Sequence, residues 1–401
     1  MIDIVLKGRL IDGVSDKAIE NGLVAIEGER IAYAGEASSF LVPEGTVVLT
    51  ADTLLPGFID CHAHLSGEEN AGDFADGVLF GDQLMGAAYQ VGILLDAGFT
   101  GIRDMSEAGF YLSRAQQRGI LRSPRIMPGG KVLSITSGHV DMRPDMTKEA
   151  YNASDHNTRM CDGVDDCVLA VREQFRMGAQ FIKICATGGV SSPTDRIDDV
   201  QFSPEELRAI VQEAKRHHNY VAAHCTGNEG AYQALLAGVE CIEHGVMLTQ
   251  REIDLMAEMD ATLVTTLAIA LGVAKIPTLP DWMKKKVEFV AECNKKTIEM
   301  ARKAGIRIAL GTDFGNGERT SYAKNGREFA AMTEAGMTPM EAIKAGTSNA
   351  AHLLMSDEVG VLAKGKLADV VLANGNPLED ITCIGDKESI VAVFLGGKRV
   401  K

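Results

Sequence analysis

The sequence predicts an α/β fold: a (β/α)8 TIM barrel carrying a small β-sandwich domain built from both chain termini. Three observations predict it. Between Gly57 and Gly360, short apolar runs alternate with helical patterns, the order expected of parallel strands joined by helices. Eight such runs occur, FIDCHAHL, FTGIRD, RIMPGGKVL, FIKICATGG, YVAAHC, VECIEHG, TLVTTLAIAL and IRIALGTD, and eight βα units close a barrel. The chain ends read differently: IDIVLKGRLIDG, GLVAIEGERIAYAGE and TVVLTADTLLPG at the start, and LADVVLANGNP and SIVAVFLGGKRV at the finish, alternate in strand fashion with glycine turns. Residues 1–56 and 360–401 are therefore expected to form the small β-domain, and residues 57–359 the barrel.

The size agrees. With 401 residues and 46% hydrophobic content the chain can bury one large core, and a barrel of about 250 residues or more can be a single domain. Helix starts within the barrel are marked by Ser203-Pro204 with Glu206, Thr249 with Glu252, and Thr338-Pro339 with Glu341, each an N-cap followed by the acid of a capping box. One segment breaks the rhythm: residues 134–163 are polar and lack helical period, and so read as a long loop, a kind that is usually functional.

Composition excludes several partners. A net charge of −15 repels phosphate backbones, and no Lys/Arg cluster is interleaved with aromatics, so no nucleic-acid partner is expected. The longest apolar run, Ala261 to Ala274, is shorter than the roughly 18–20 residues of a membrane span and reads as a buried strand. A basic start followed by an apolar stretch and a cleavage site is missing. These readings predict a cytoplasmic protein that acts on a small molecule, with no membrane partner; a homo-oligomer is left open. The eight cysteines contain no CxxC pair, and Cys185 and Cys241 sit in apolar runs where a thiol behaves as a small hydrophobe. Cys161 and Cys167 lie in a polar stretch, and the same structural reading is preferred for them.

In such a barrel the active site lies at the C-terminal ends of the strands. His62 and His64 end the first strand, Lys183 the fourth, His224 the fifth, His244 the sixth and Asp313 the eighth. Histidines two apart on a strand share a face, so His62 and His64 can chelate one ion together. Lys183 lies in FIKICATGGV, where a charged amine is costly unless paired or altered. A buried salt bridge would satisfy it; a carbamate formed with carbon dioxide, whose two oxygens can bridge two cations, is the sharper expectation. His224 and His244 supply neutral imidazoles to a second ion, each oriented by its other ring nitrogen. Asp313 is placed to touch the first ion and the water, taking its proton and later delivering it to a leaving amine.

LPGFIDCHAHL, DAGFTGIRD, FIKICATGGV, the two single histidines, ALGTDFG and GVLAKGKLADVVLANGNP together resemble the amidohydrolase superfamily over nearly the whole chain. The lysine followed by ATGGV resembles its binuclear, imidazolonepropionase-like branch, which includes Xaa-Pro dipeptidases and arginine carboxypeptidases. The resemblance implies a metal-dependent hydrolase with two divalent metal ions, zinc leading and manganese, cobalt or iron also suited to such a site. It implies that His62, His64 and Asp313 hold one ion, that His224 and His244 hold the other, and that carboxylated Lys183 bridges them. In similar dipeptidases a histidine at the position of His139 polarises the scissile carbonyl or steadies the oxyanion, and the Gly188, Gly189 and Val190 turn would line the substrate. Those dipeptidases often carry a tyrosine two residues after the fifth-strand histidine; this chain has Thr226, which bears against peptide-type recognition.

The expected reaction places a water between both ions, its pKa brought from about 15.7 toward about 7. Asp313 orients it, and the carbonyl under attack is polarised by the second ion and His139. Dipeptides of Xaa-Pro type and N-acyl amino acids lead as substrates. A lactonase, a cyclic-amide (imidazolone) hydrolase and a deaminase share the scaffold, but a single-metal enzyme has no use for Lys183, and a non-catalytic scaffold protein would have shed ligands. His156, His217, His218 and His352 read as structural or solvated. Arg196 and Arg319 follow strands four and eight, where an arginine can clamp a carboxylate.

Overall fold

The structure, a computed structural model, describes residues 2–65, 79–192, 195–273, 281–315 and 321–401. Arg319 and the end of the apolar run beyond residue 273 lie outside them. Eight parallel barrel strands follow one another: Phe58–Ala63, Phe99–Asp104, a third in two pieces, Ile182–Cys185, Val221–Cys225, Cys241–His244, Thr262–Thr265 and Arg307–Leu310. The third is broken at Gly129-Gly130. Arg125–Pro128 pairs with the second strand, whereas Val132–Ser134 pairs with the fourth. Helices such as Val164–Met177, Pro204–Arg216 and Asn228–Ala237 cover the outside, and their buried faces meet the outward side chains of the strands in one apolar cluster. A second cluster fills the barrel, with Cys61, Met105, Phe181, Cys185, Tyr220 and Cys241 among its members. Each large apolar side chain so buried contributes roughly 1.5–3 kcal/mol. All eight cysteines are free, and Cys161 and Cys167 are buried.

Both ends of the chain supply a seven-stranded sheet. Its order is Lys398–Arg399, Ile390–Leu395, Val370–Ala373, Val47–Pro56, Ile4–Leu10, Ile19–Glu27 and Arg30–Glu36. The sheet folds over on itself as a small sandwich, because its far edge returns: Ile31 N donates to Lys366 O (2.9 Å) and Arg30 bridges Leu367. Leu6, Val24, Leu54, Val370 and Phe394 pack inside the fold. Among the described residues, no helix is long and apolar enough to cross a membrane.

The caps at Ser203 and Thr338 form as the sequence indicates, each a complete capping box. Two expectations need correction. Residues 134–163 are not a structureless loop, since they contain a helix, Lys148–Ser154 capped by Thr147, and a strand, Thr158–Met160, that pairs in parallel with Val132–Ser134. The run from Ala261 is not one strand either; it is strand only over Thr262–Thr265, and Leu267–Val273 is helix. Glu328 sets that switch. Its buried carboxylate accepts hydrogen bonds from Thr265 Oγ1 (2.9 Å), Leu267 N (2.9 Å) and Ala268 N (2.7 Å), satisfying amides that a helix start leaves without partners.

Burial pushes the Glu328 carboxyl up to about 7 from 4.5. Because the folded value lies above the unfolded one, this group's contribution to stability is full below about 4.5 and is lost as pH rises through about 7. Urea denaturation of wild type and Glu328→Gln between pH 5 and pH 8 should therefore show the stability difference between them falling as pH rises; a flat difference would contradict the linkage. Gly57 makes a separate prediction, since a Cβ there would stand 2.0 Å from Thr100 Oγ1 and 2.4 Å from its Cγ2. Gly57→Ala should cost about 1–3 kcal/mol by overpacking, read as a lowered urea midpoint.

Candidate metal centre and its supports

The first and eighth strands are stitched together where the barrel closes. His62 O accepts from Asp313 N (2.7 Å) and Thr312 N (3.2 Å), and His64 N donates to Phe314 O (3.0 Å). Asp60, fully buried, ties the same junction with its side chain, accepting from His62 N and Thr312 N (both 3.0 Å), Thr312 Oγ1 (2.7 Å) and Asn325 Nδ2 (2.6 Å). Burial pushes its carboxyl up to about 6 against these bonds. The junction brings His62, His64 and Asp313 together. Asp313 Oδ1 lies 3.4 Å from His62 Nε2 and 3.2 Å from His64 Nε2, and among the described residues these three form the one group with donor atoms close enough to hold an ion. Burial opposes ionisation at Asp313, but the neighbouring His62, the hydrogen-bonded His64 and Lys183 hold its carboxyl well below the usual range.

Lys183 is not at its strand end, as the sequence reading had it. It pairs with Ala222, two residues below the level at which Cys185 faces His224, about 6–7 Å deeper at the usual strand rise. The long side chain makes up the depth: Nζ reaches 3.4 Å from His62 Nε2 and 3.2 Å from Met105 Sδ. Among the described residues no carboxylate pairs with it, so the buried-salt-bridge alternative is not what the structure holds. His224 and His244 stand side by side, ring centroids 4.6 Å apart, and His244 is 4.9 Å from His62. Burial, then the neighbouring positive groups, holds His62, His224 and His244 well below the ordinary imidazole pKa, which keeps them neutral as ligation requires.

Each ring is oriented by a partner. His62 Nδ1 faces Glu243 Oε2 (2.6 Å), His244 Nδ1 faces Thr266 Oγ1 (2.6 Å), and His224 Nε2 faces Gly188 O (3.1 Å). The nitrogen left toward the centre is thus Nε2 for His62 and His244 and Nδ1 for His224. His244 and Asp313 reach their positions through left-handed backbone, φ 66° and 56°, a strain of order 1–3 kcal/mol each; at Asp313 the closure bonds sustain it.

His139 completes the group, its ring stacked on His224 with centroids 4.4 Å apart. Gly189 lies flat against that ring, where a Cβ would meet His139 Cε1 at 2.2 Å. Gly188 turns its carbonyl to His224, and Val190 joins an apolar cluster with Val246 and Met247 at the strand-six exit. The other histidines stand apart: His156 pairs with Glu107 and stacks on Phe80, and His217 stacks on Phe175, while His218 and His352 line a groove with Lys215 and Asp357. Arg196 is exposed and paired with Asp198.

Sequence reasoning missed the support beneath the ligands. Glu243 and Arg103 are wholly buried and pair with each other. Arg103 also donates to Cys61 O (2.5 Å) and Tyr220 Oη (3.1 Å). The signal was present, since FTGIRD and CIEHG each place a charge inside an apolar strand and the two charges are opposite. A buried carboxylate behind a metal-facing imidazole fixes its tautomer and raises its basicity. Glu243→Gln should therefore weaken zinc binding about 10–100-fold, read by competition with a chromophoric chelator; unchanged affinity would remove Glu243 from this role.

The chain matches the family model described as Amidohydrolase family over residues 53–400. Ochratoxinase of Aspergillus niger is 32% identical over 429 aligned residues, covering 100% of this chain and 87% of that protein. Imidazolonepropionase of Sphingopyxis alaskensis is 26% identical over 389 residues, covering 92% of this chain and 90% of that one. A crystal structure of a prolidase complexed with N-methylphosphonate-L-proline is similar at a TM-score of 0.92 and 33% identity, covering 99% of each chain.

Proposed function

The chain belongs to the amidohydrolase family, and from that premise we propose that it is a binuclear metal-dependent hydrolase of an amide or peptide bond in a small substrate, an Xaa-Pro dipeptide or an N-acyl amino acid. One ion is assigned to His62, His64 and Asp313 and the second to His224 and His244, with Lys183, carboxylated by carbon dioxide, between them. The spacing at Asp313 carries the reading. Zinc bonds of about 2.0–2.1 Å at tetrahedral angles put neighbouring ligand atoms about 3.3–3.4 Å apart, and the separations from Asp313 Oδ1 are 3.4 and 3.2 Å. An amine lodged among imidazoles with no carboxylate partner among the described residues supports the carbamate, which would replace a buried cation by an anion. The donor set of imidazole and carboxylate suits zinc.

Bound there, two divalent cations supply Lewis acidity and lower the pKa of water toward about 7. Asp313, ionised and in contact with both strand-one histidines, accepts the proton of the attacking water and returns it to the departing nitrogen. His139 contacts the carbonyl oxygen as charge develops on it. Gly188, Gly189 and Val190 line the substrate, since a side chain at Gly189 would displace the His139 ring. Glu243 and Thr266 hold His62 and His244 with Nε2 inward.

The relatives support the substrate class: a prolidase with a proline-containing ligand and an ochratoxinase cover nearly the whole chain. One observation favours the N-acyl amino acid over the dipeptide. Thr226 stands where similar dipeptidases carry tyrosine, and its hydroxyl is turned away into bonds with Gly188 O and Ile197 O, so it offers the substrate nothing.

Turnover of the zinc-loaded protein on Xaa-Pro, Xaa-Arg and N-acyl amino acid libraries, scored by amine release, tests the substrate class; silence across all three would redirect it to lactones or cyclic amides. Asp313→Asn should abolish turnover while metal, measured by mass spectrometry, stays bound. Retained activity would refute the proton-transfer role. Elemental analysis should give two ions per chain, and one ion with activity indifferent to bicarbonate during expression would favour the single-metal alternative.

A further inference from the structure

We propose that Asp195 and Lys286 are positioning residues that fix His139 and the Gly188-Gly189 turn, so that His139 presents Nε2 to the substrate. The proposal rests on the reading of His139 as a substrate-contacting residue. Asp195, its side chain 1% exposed, aims Oδ2 at two groups: His139 Nδ1 at 3.2 Å and Gly189 N at 3.0 Å. Ser192 Oγ adds a contact to the same nitrogen at 2.8 Å while accepting from Val140 N at 3.1 Å. An ionised carboxylate only accepts, so Asp195 takes the Nδ1 hydrogen; Nε2, 3.5 Å from Ser191 Oγ, carries the hydrogen that meets the carbonyl oxygen when the ring holds both protons.

The carboxylate is held in turn from a distant helix. Lys286, from the helix Asp281–Lys303 that follows strand seven, donates its three ammonium hydrogens to Gly189 O (2.9 Å), Ser192 O (2.9 Å) and Asp195 O (2.8 Å), with Asp195 Oδ1 3.4 Å away. The Trp282 ring lies 5.4 Å from the same ammonium. One cation therefore gathers three carbonyls of the turn into a fixed arc. Withdrawing an aspartate, and most of a lysine, from water is costly unless geometry returns it. Here the geometry holds the ring at one edge and over its plane: Asp195 grips Nδ1, and Gly189, held through its own N–H and carbonyl, packs against the ring.

The test uses full-length, zinc-loaded protein with Asp195→Ala, Lys286→Met and His139→Ala. Nitrogen NMR of ¹⁵N-histidine-labelled protein should show His139 Nδ1 protonated and hydrogen-bonded in wild type and that hydrogen bond lost in Asp195→Ala. On the best substrate of the Xaa-Pro and N-acyl amino acid libraries, Asp195→Ala and Lys286→Met should lower kcat about 10–100-fold with KM little changed and zinc content retained. An Nδ1 signal and kcat both unmoved in these two variants, with His139→Ala defective, would overturn this proposal alone. An unaffected kcat in His139→Ala would overturn the reading beneath it. Lowered thermal stability with kcat preserved would reduce the pair to a structural tie and also overturn the proposal.

Discussion

The closure of the barrel between its first and eighth strands is the constraint on which the site depends. Two strands meeting at a barrel seam need only backbone bonds, yet here a buried aspartate, Asp60, also binds the backbone amide and hydroxyl of Thr312 and the side-chain amide of Asn325 across the seam. The consequence is positional. His62 and His64 come from one side of the seam and Asp313 from the other, so their separations are set by the same bonds that close the fold. The left-handed backbone at Asp313 persists because those bonds over-determine it.

Beneath the seam, electrostatics are arranged in layers. Arg103 and Glu243 neutralise each other in the barrel interior, and Glu243 spends its second oxygen on His62. Such a pair adds little net stability once desolvation is counted; what it supplies is direction, since a ring gripped at Nδ1 can turn only Nε2 toward the centre. Two residues deeper than Glu243 by the strand registers, Lys183 has no acidic partner among the described residues. The asymmetry between the paired arginine and this lysine is what makes chemical alteration of the lysine physically sensible.

The parts that would bind metal and the parts that would choose a substrate are built differently. Ligands stand on strands or at their ends, where ladder bonds limit their freedom. His139, Gly189 and Val190 stand on connections, and these are held by side chains from elsewhere, Lys286 above all. A barrel can thus keep its metal chemistry while its substrate changes. Thr226, one turn from a ligand yet bonded wholly into the 187–197 connection, shows how a single position there alters what a substrate meets.

Much of this was legible in the residues themselves. Apolar period, glycine turns and capping boxes are local signals, and they were enough to count eight βα units, to assign both chain ends to strands and to find His62, His64, His224, His244, Lys183 and Asp313 near one rim. What the sequence could not decide involved segments distant in the chain. The break of the third strand at Gly129-Gly130, the helix that replaces the second half of the seventh run, the strand hidden within residues 134–163, and the depth of Lys183 all follow from contacts made across the fold. Glu328 turns Leu267–Val273 into helix from sixty residues away, and Asp195 and Lys286 reach His139 from two other connections. Periodicity reports how a segment meets its immediate surroundings; which buried charge faces which ring depends on how the barrel closes, and that is settled only when all the strands are in place.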